Sequence, residues 1–210
     1  MLNKNRMVIT LICSALLTGC AMIEAVTGDI EQPHYEVISS DNNIEIRQYA
    51  PMIIAEVDVQ GKREESISKG FRLLADYIFG NNTVQQQIAM TTPVQQEISE
   101  KIAMTAPVQQ QSSGDLWKVS FVMPAAYTLK TLPKPNKEDV KLKQIPAKRF
   151  VTLQFSGMHS NNNIAKYEQQ LMQHIAEKQI QTIGTVKYAF YNPPWTLPFL
   201  RRNEVMIEIE

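Results

Sequence analysis

Hydrophobic and polar positions along the chain change period several times, and each change marks an element. Tyr35 to Ile38 and Ile44 to Tyr49 are short β-prone runs. Ser39, Ser40, Asp41, Asn42 and Asn43 join them, residues whose side chains bond nearby backbone and favour turns, so a hairpin is expected. From Met52 to Val59 the residues Ile53, Ala55, Val57 and Val59 alternate with Ile54, Glu56 and Asp58, which gives a strand with one apolar and one wet face. The period then lengthens. Ile67, Phe71, Leu74, Ala75 and Ile78 recur at steps of three and four, predicting an amphipathic helix over 64–79 that Gly80 and Asn81 stop. A second helix is expected after Asn161–Asn163, any of which could cap it. It carries Ile164, Tyr167, Leu171 and Ile175 on one face and runs to about Gln179. Further strands are expected at Trp117 to Met123, Arg149 to Phe155, Val186 to Tyr191 and Glu204 to Ile209. Strands, helix, strands, helix, strands is an α+β order in which each helix needs a sheet face to cover.

One stretch repeats. Ile88-Ala89-Met90-Thr91-Thr92-Pro93-Val94-Gln95-Gln96 returns 14 residues later as Ile102-Ala103-Met104-Thr105-Ala106-Pro107-Val108-Gln109-Gln110. Two copies at this period do not make a solenoid, so two adjacent extended segments are expected. A proline in each denies the ladder one donor, which suits an edge or bend. Gln111 to Asp115 then reads as a mobile loop.

The N-terminus reads as an address. Lys4 and Arg6 precede an apolar run from Met7 to Leu17, 11 residues, where a helix spanning a bilayer needs about 20. Leu17-Thr18-Gly19-Cys20 resembles the bacterial lipobox, in which cleavage before the cysteine exposes a thiol for lipid attachment. Residues 1–19 are thus expected to be a lipoprotein signal peptide, 20–33 a lipidated tether and 34–210 the folded domain. Removal of the signal takes Cys13, and lipidation consumes Cys20, so no disulfide is expected. Several acyl chains on one cysteine suffice for stable anchoring. By analogy with bacterial lipoproteins, Ala21 after the cysteine points to the outer membrane, facing the periplasm.

The whole chain carries 21 basic and 21 acidic side chains, is 44% hydrophobic, and has a pI near 6.8. With Lys4 and Arg6 gone the balance is 19 to 21. No basic stripe is present to collect phosphates, so nucleic acid is not expected as a partner.

Several separated motifs resemble the SOUL haem-binding protein family. They are Tyr35-Glu36-Val37 with Glu45-Ile46-Arg47-Gln48-Tyr49, then Phe71, Leu74 and Tyr77-Ile78-Phe79-Gly80-Asn81. Met104-Thr105-Ala106-Pro107-Val108 follows, and then Phe155-Ser156-Gly157. Tyr191-Asn192-Pro193-Pro194-Trp195-Thr196 with Arg201-Arg202-Asn203-Glu204-Val205 completes the set. The resemblance runs from about Tyr35 to Glu208. It implies a distorted antiparallel β-barrel of two pseudo-symmetric halves with two flanking helices, like small-molecule effector-binding domains. It implies non-covalent binding of haem or another tetrapyrrole. Gln48 stands where the vertebrate member has the histidine proposed to ligate iron, and Ser68, Phe71 and Asp76 stand where a related protein has arginine, methionine and lysine.

Haem needs a flat apolar slot, an axial donor and often cations near its carboxylates. The expected cleft lies between the first helix and the Trp195 segment, lined by Phe71, Leu74, Ala75, Ile78, Trp195 and Phe199. Lys69 and Arg72, with Lys62 and Arg63 nearby, supply replacement cations. His34 is the candidate axial ligand. His159 reads as a surface residue and His174 as a boundary residue of the second helix. The three histidines lack metal-site spacing, so no protein-bound metal is expected. Met90 and Met104 read as core filler rather than thioether ligands. Arg201 and Arg202 read as structural partners of Glu204 or of backbone. Glu64-Glu65 is a solvated helix start, and no nucleophile elbow or phosphate loop occurs, so no enzyme is expected. The leading expectation is a membrane-anchored envelope protein that carries or buffers a tetrapyrrole. Two alternatives stay open: a structural lipoprotein whose duplicated segments bind an envelope protein, and an enzyme acting on a small hydrophobic ligand.

Overall fold

Alternation of apolar and polar positions builds a nine-stranded antiparallel sheet with two helices laid on one face. The computed structural model describes residues 30–84 and 99–210. In chain order the elements are β1 (Tyr35–Asp41), β2 (Ile44–Tyr49), β3 (Met52–Gln60), α1 (Arg63–Ile78), β4 (Asn82–Thr83), β5 (Val108–Ser113), β6 (Leu116–Val122), β7 (Lys134–Pro135), β8 (Lys141–Ile145), β9 (Lys148–Phe155), α2 (Asn161–Lys178), β10 (Thr182–Phe190) and β11 (Asn203–Ile209). The order across the large sheet is β1-β2-β9-β11-β10-β5-β6-β3-β8, and β4 pairs with β7 separately.

That order contains an internal symmetry. Strand β3, helix α1 and the hairpin β5–β6 form one unit, in which β3 pairs with β6. Strand β9, helix α2 and the hairpin β10–β11 form the other, in which β9 pairs with β11. The halves meet at β5 and β10, from Val108↔Phe190 to Gln111↔Lys187. Each half keeps its own core. Val57, Val119 and Phe121 pack under Leu74 and Ile78 of α1, while Val151, Leu153, Val205 and Ile207 pack under Ile164, Leu171 and Ile175 of α2. Ile67 of α1 and Trp117 of β6 pack against the second core, so the cores touch across the seam.

Among the described residues the sheet does not close. Strand β2 is hydrogen-bonded on both sides, by β1 and β9, and β3 likewise by β6 and β8, so the outer edges of β1 and β8 stay apart. Pro51 and Pro146, in the two-residue links beside these strands, have no amide donor to give to a closing ladder. The expected barrel is therefore an open sheet, curled strongly enough that strands far apart in its order line one recess.

Helix boundaries fall where the periodicity put them, with one difference in chemistry. The N-cap of α2 is Ser160, whose hydroxyl accepts from the Asn163 amide at 3.4 Å, rather than one of the three asparagines. At the end of α1 the chain leaves through Gly80 at φ +122°, a conformation that needs glycine. Residues Gln111 to Ser113, read as loop, belong to β5 and pair with β6 and, at Gln111, with β10; a run of glutamines hides a strand that both neighbours satisfy. Strand β8 was not expected from its lysine-rich sequence either. The first repeat copy, Met90 included, lies outside the described residues. Among the described residues no helix is long and apolar enough to cross a membrane.

Candidate functional site

Helix α1 presents the centre of its apolar stripe to the sheet. Leu74 and Ile78 are sealed in the first core at 0% and 1% exposure, so neither lines an open cleft as placed. The reason is steric: Gly70 brings the helix so close to β6 that a Cβ there would stand 2.6 Å from Val119. Phe71 lies at the margin, its ring 5.4 Å from that of Phe121, and Ala75 is half-buried. Lys69 and Arg72 face solvent. Trp195 and Phe199 are exposed on the other half's loop, Trp195 before the 3-10 turn Pro198–Leu200 and Phe199 within it. A polar relay ties that loop to the start of α1. Arg63 donates to Asn161 Oδ1 at 2.7 Å and to the His159 carbonyl at 2.9 Å. Arg201 reaches His159 Nδ1 at 3.5 Å and the Pro194 carbonyl at 2.5 Å. Phe71 stands eight residues beyond Arg63, about 12 Å along the helix axis. The expected lining residues therefore do not converge on one slot.

Three recesses are built elsewhere. The first, about 250 Å³, is lined by His34, Pro51, Met52, Thr105, Met123 and Tyr127. It places His34 beside apolar residues, yet it falls below the roughly 300–1,000 Å³ typical of sites for larger ligands. The second, about 160 Å³, lies on the sheet face away from both helices. Its wall includes Tyr49 and Met52 from one tight link and Ile145 and Lys148 from another, a consequence of the curl. The third is an open groove of about 560 Å³ along Gln154, Phe155, Tyr167, Phe199, Leu200, Arg201 and Arg202. There the rings of Phe155 and Tyr167 stack at 4.2 Å and 18°.

Arg201 and Arg202 hold the lip of this groove in place. Arg201 donates from Nε to the Thr196 carbonyl at 2.8 Å as well as to Pro194, fixing the loop that carries Trp195. Arg202 pairs with Glu204 at 2.8 Å, bonds Gln32 at 3.0 Å and lies 3.9 Å over the Tyr191 ring. Both thus have the structural partners expected of them.

Beneath them lies a charge network of which only the Arg202–Glu204 pair is expected from the sequence. Glu204, fully buried, accepts from Arg47 at 2.9 Å, from Arg202 and from the Tyr191 hydroxyl at 2.8 Å. Burial works against the charged form of Arg47, but Glu204 overrides it and the guanidinium is held more basic than usual. Burial, with Glu204 adding to it, pushes the Tyr49 phenol up to about 12 and holds that of Tyr191 well above its ordinary value too. Arg47 and Tyr49 of β2 and Glu204 of β11 alternate with the core residues of their strands, so alternation alone predicts solvent for them. His159, read as a surface residue, is half-buried with its ring 5.3 Å from Phe190. Burial, then Arg201 and Arg63, lower its proton affinity. Among the described residues no group of three or more metal-ligating side chains could hold an ion.

Helices on one face, a symmetric seam and ligand-sized recesses describe an α+β domain suited to holding a small molecule. The profile of the SOUL heme-binding protein family matches residues 30–208, and the chain belongs to that family. This is a binding family, and membership supports haem or tetrapyrrole binding in general terms. Solved structures share the fold. The EcmrR C-terminal domain is 14% identical, with 84% of this chain and 98% of that one covered at a TM-score of 0.54. A protein described as a hydrolase from Listeria innocua is 12% identical, with 82% and 94% covered at 0.53. No curated protein matches the chain by sequence.

Proposed function

We propose that the protein binds haem or a related tetrapyrrole non-covalently, in the groove between the 199–202 segment and the stacked pair Phe155 and Tyr167. The observation that carries this reading is the groove's size. Of the three recesses it alone, at about 560 Å³, falls within the roughly 300–1,000 Å³ range of sites for larger ligands. Phe199, 69% exposed, and Leu200 offer an apolar face, and the partly exposed Arg202, paired with Glu204, is the cation beside it. Of the expected cleft residues only Phe199 lines this groove, whose opposite wall comes from β9 and α2 rather than from α1.

The lining residues include no imidazole, thiolate or thioether, and their one phenol, Tyr167, is stacked on Phe155. The ring system is held by its faces and its carboxylates. Metal-free protoporphyrin is therefore expected to bind residues 31–210 about as tightly as haemin, and Phe199→Ser to weaken both by about tenfold. Absorbance titration reads this out. A response that never saturates, or a Phe199→Ser protein that titrates like the parent, would overturn the assignment.

We further infer that Cys20 is lipidated and that the domain works as a tethered carrier or buffer in the cell envelope, at the outer membrane facing the periplasm. The lipobox-like Leu17-Thr18-Gly19-Cys20 supports this. Gln32, just ahead of β1, accepts from Arg202 of the groove's wall, so a tether preceding it would enter on that side. Cys20→Ala should abolish acyl labelling and move the protein out of the membrane fraction; retention in membranes with the label lost would refute the anchor.

A further inference from the structure

Opposite the helices, the recess of about 160 Å³ spans the seam between the halves and has an unusual charge balance. Its two carboxylates are already neutralised. Glu56 accepts from Lys143 at 2.5 Å and lies 3.6 Å from Lys118, and Glu208 holds Lys148 with both oxygens at 2.8 and 2.7 Å. Lys187 has no such partner. Its ammonium makes no ion pair or hydrogen bond among the described residues and sits 5.2 Å from the centroid of the Phe150 ring.

Lys187 is half-buried, and an ammonium partly withdrawn from water without a close counter-charge is costly. Burial, then the neighbouring Lys148, lower its proton affinity, with Glu208 and Glu56 only partly offsetting this. On the neighbouring strand, the side-chain amide of Gln109, a buried residue, lines the same recess and among the described residues makes no side-chain hydrogen bond either. The register explains the pairing of these two groups. Lys187 lies opposite Gln111, and Ala189 opposite Gln109, so both project from the helix-free side of the seam. Around them stand Ile54, Ile145, Phe150 and Met206.

We propose that this recess is a binding site for a small organic monoanion: a single flat apolar ring or short chain ending in a carboxylate. The carboxylate pairs with the Lys187 ammonium and accepts from the Gln109 amide, and the apolar body lies against Phe150, Met206 and Ile54. A cation of the same shape is disfavoured, because Lys187 and Lys148 repel it and each acid is occupied. A macrocycle is too large. The site is independent of the tetrapyrrole groove, with which it shares no lining residue.

The test uses the full chain and fluorine NMR, with 4-fluorobenzoate as probe and 4-fluorobenzylamine as its cationic counterpart. The benzoate is expected to show saturable binding and the amine none. Lys187→Met should weaken the benzoate at least about tenfold, while Lys187→Arg, which keeps the charge, stays within about threefold. Gln109→Leu provides a second reading should the methionine variant misfold, and it too should weaken the benzoate severalfold. Absence of saturable benzoate binding up to about 10 mM would overturn the proposal. So would equal binding of the amine, or undiminished binding by folded Lys187→Met or Gln109→Leu protein. None of these outcomes bears on haemin binding at Phe199, which is titrated separately.

Discussion

Glu204 satisfies two arginines and a phenol from a position with no exposure, so its negative charge has consequences out of proportion to one side chain. Replacing it with glutamine keeps the shape and removes the charge, leaving Arg47 with Glu45 as its remaining acidic partner. Breaking a buried pair by deleting one member costs about 3–5 kcal/mol, and Glu204→Gln is expected at the low end because Glu45 persists. Urea unfolding monitored by circular dichroism measures it; a loss below about 1 kcal/mol would show that Arg47 and Arg202 rehydrate freely. His159 acts at the same scale, through pH. Its folded form binds a proton less readily than the ordinary 6.5 of the unfolded chain, so between these values the unfolded state carries more protons. Stability is therefore expected to rise with pH through that window, and to fall as the solution is acidified below about 6.5. Asp58 and Asp76, lowered from 3.8 by hydrogen bonds to Lys118 and to Lys137 respectively, lose their contribution only in more acid solution. Melting temperatures followed on acidification from neutrality through about pH 6.5 should slope for the parent and flatten for His159→Gln; parallel slopes would assign the effect elsewhere.

At the scale of elements, the contact that seats α1 is Gly70 on Val119. A methyl group added there would stand 2.6 Å from both Cβ and Cγ2 of a core valine with no exposure, so the helix must lift or β6 must shift. Overpacking of this kind costs about 1–3 kcal/mol, which outweighs the helix propensity of about 1 kcal/mol that alanine gains over glycine. Gly70→Ala is thus expected to lower the unfolding midpoint, and a raised midpoint would mean that the helix is free to slide. The same residue shows what was legible in the sequence. Periodicity found both helices and most strands because each buries one face, and a stripe of Leu74 and Ile78 cannot be mistaken for solvent. What it could not say is whether that stripe meets a sheet or a ligand, since both are apolar. The answer depends on the closeness of approach that Gly70 allows. Strand β5 was illegible for a different reason: Gln109, Gln110 and Gln111 carry no alternation, and Gln110 is buried by polar bonds to Arg63 rather than by hydrophobicity. The groove was half legible. Its lip came from an exposed aromatic segment, while its floor, Phe155 against Tyr167, required knowing that β9 and α2 pack together.

Over the whole molecule, two similar halves with separate cores raise the question of whether they unfold together. The direct ladder between them is short, from Val108 to Gln111 against Lys187 to Phe190. Arg63 supplements it. From the first turn of α1 in one half it reaches Gln110 of the seam and both Asn161 and the His159 carbonyl of the other half, with 9% of its surface exposed. Ile67, one turn further on, packs into the second core, as does Trp117. A helix that belongs to one core and is bonded to the other couples their free energies, so a single unfolding transition is expected. Arg63→Ala removes the polar part of that coupling and strands the groups it served. Hydrogen bonds to a charged donor are each worth about 1.5–3 kcal/mol, so a total loss near 3 kcal/mol is expected once relaxation is allowed. Because Ile67 and Trp117 still bridge the cores, the variant should melt earlier yet remain cooperative. Hydrogen exchange separates the alternatives: uniform loss of protection in α1, β5, β10 and α2 follows from coupled halves, whereas loss confined to α1 and β5 would mean that each half stands alone.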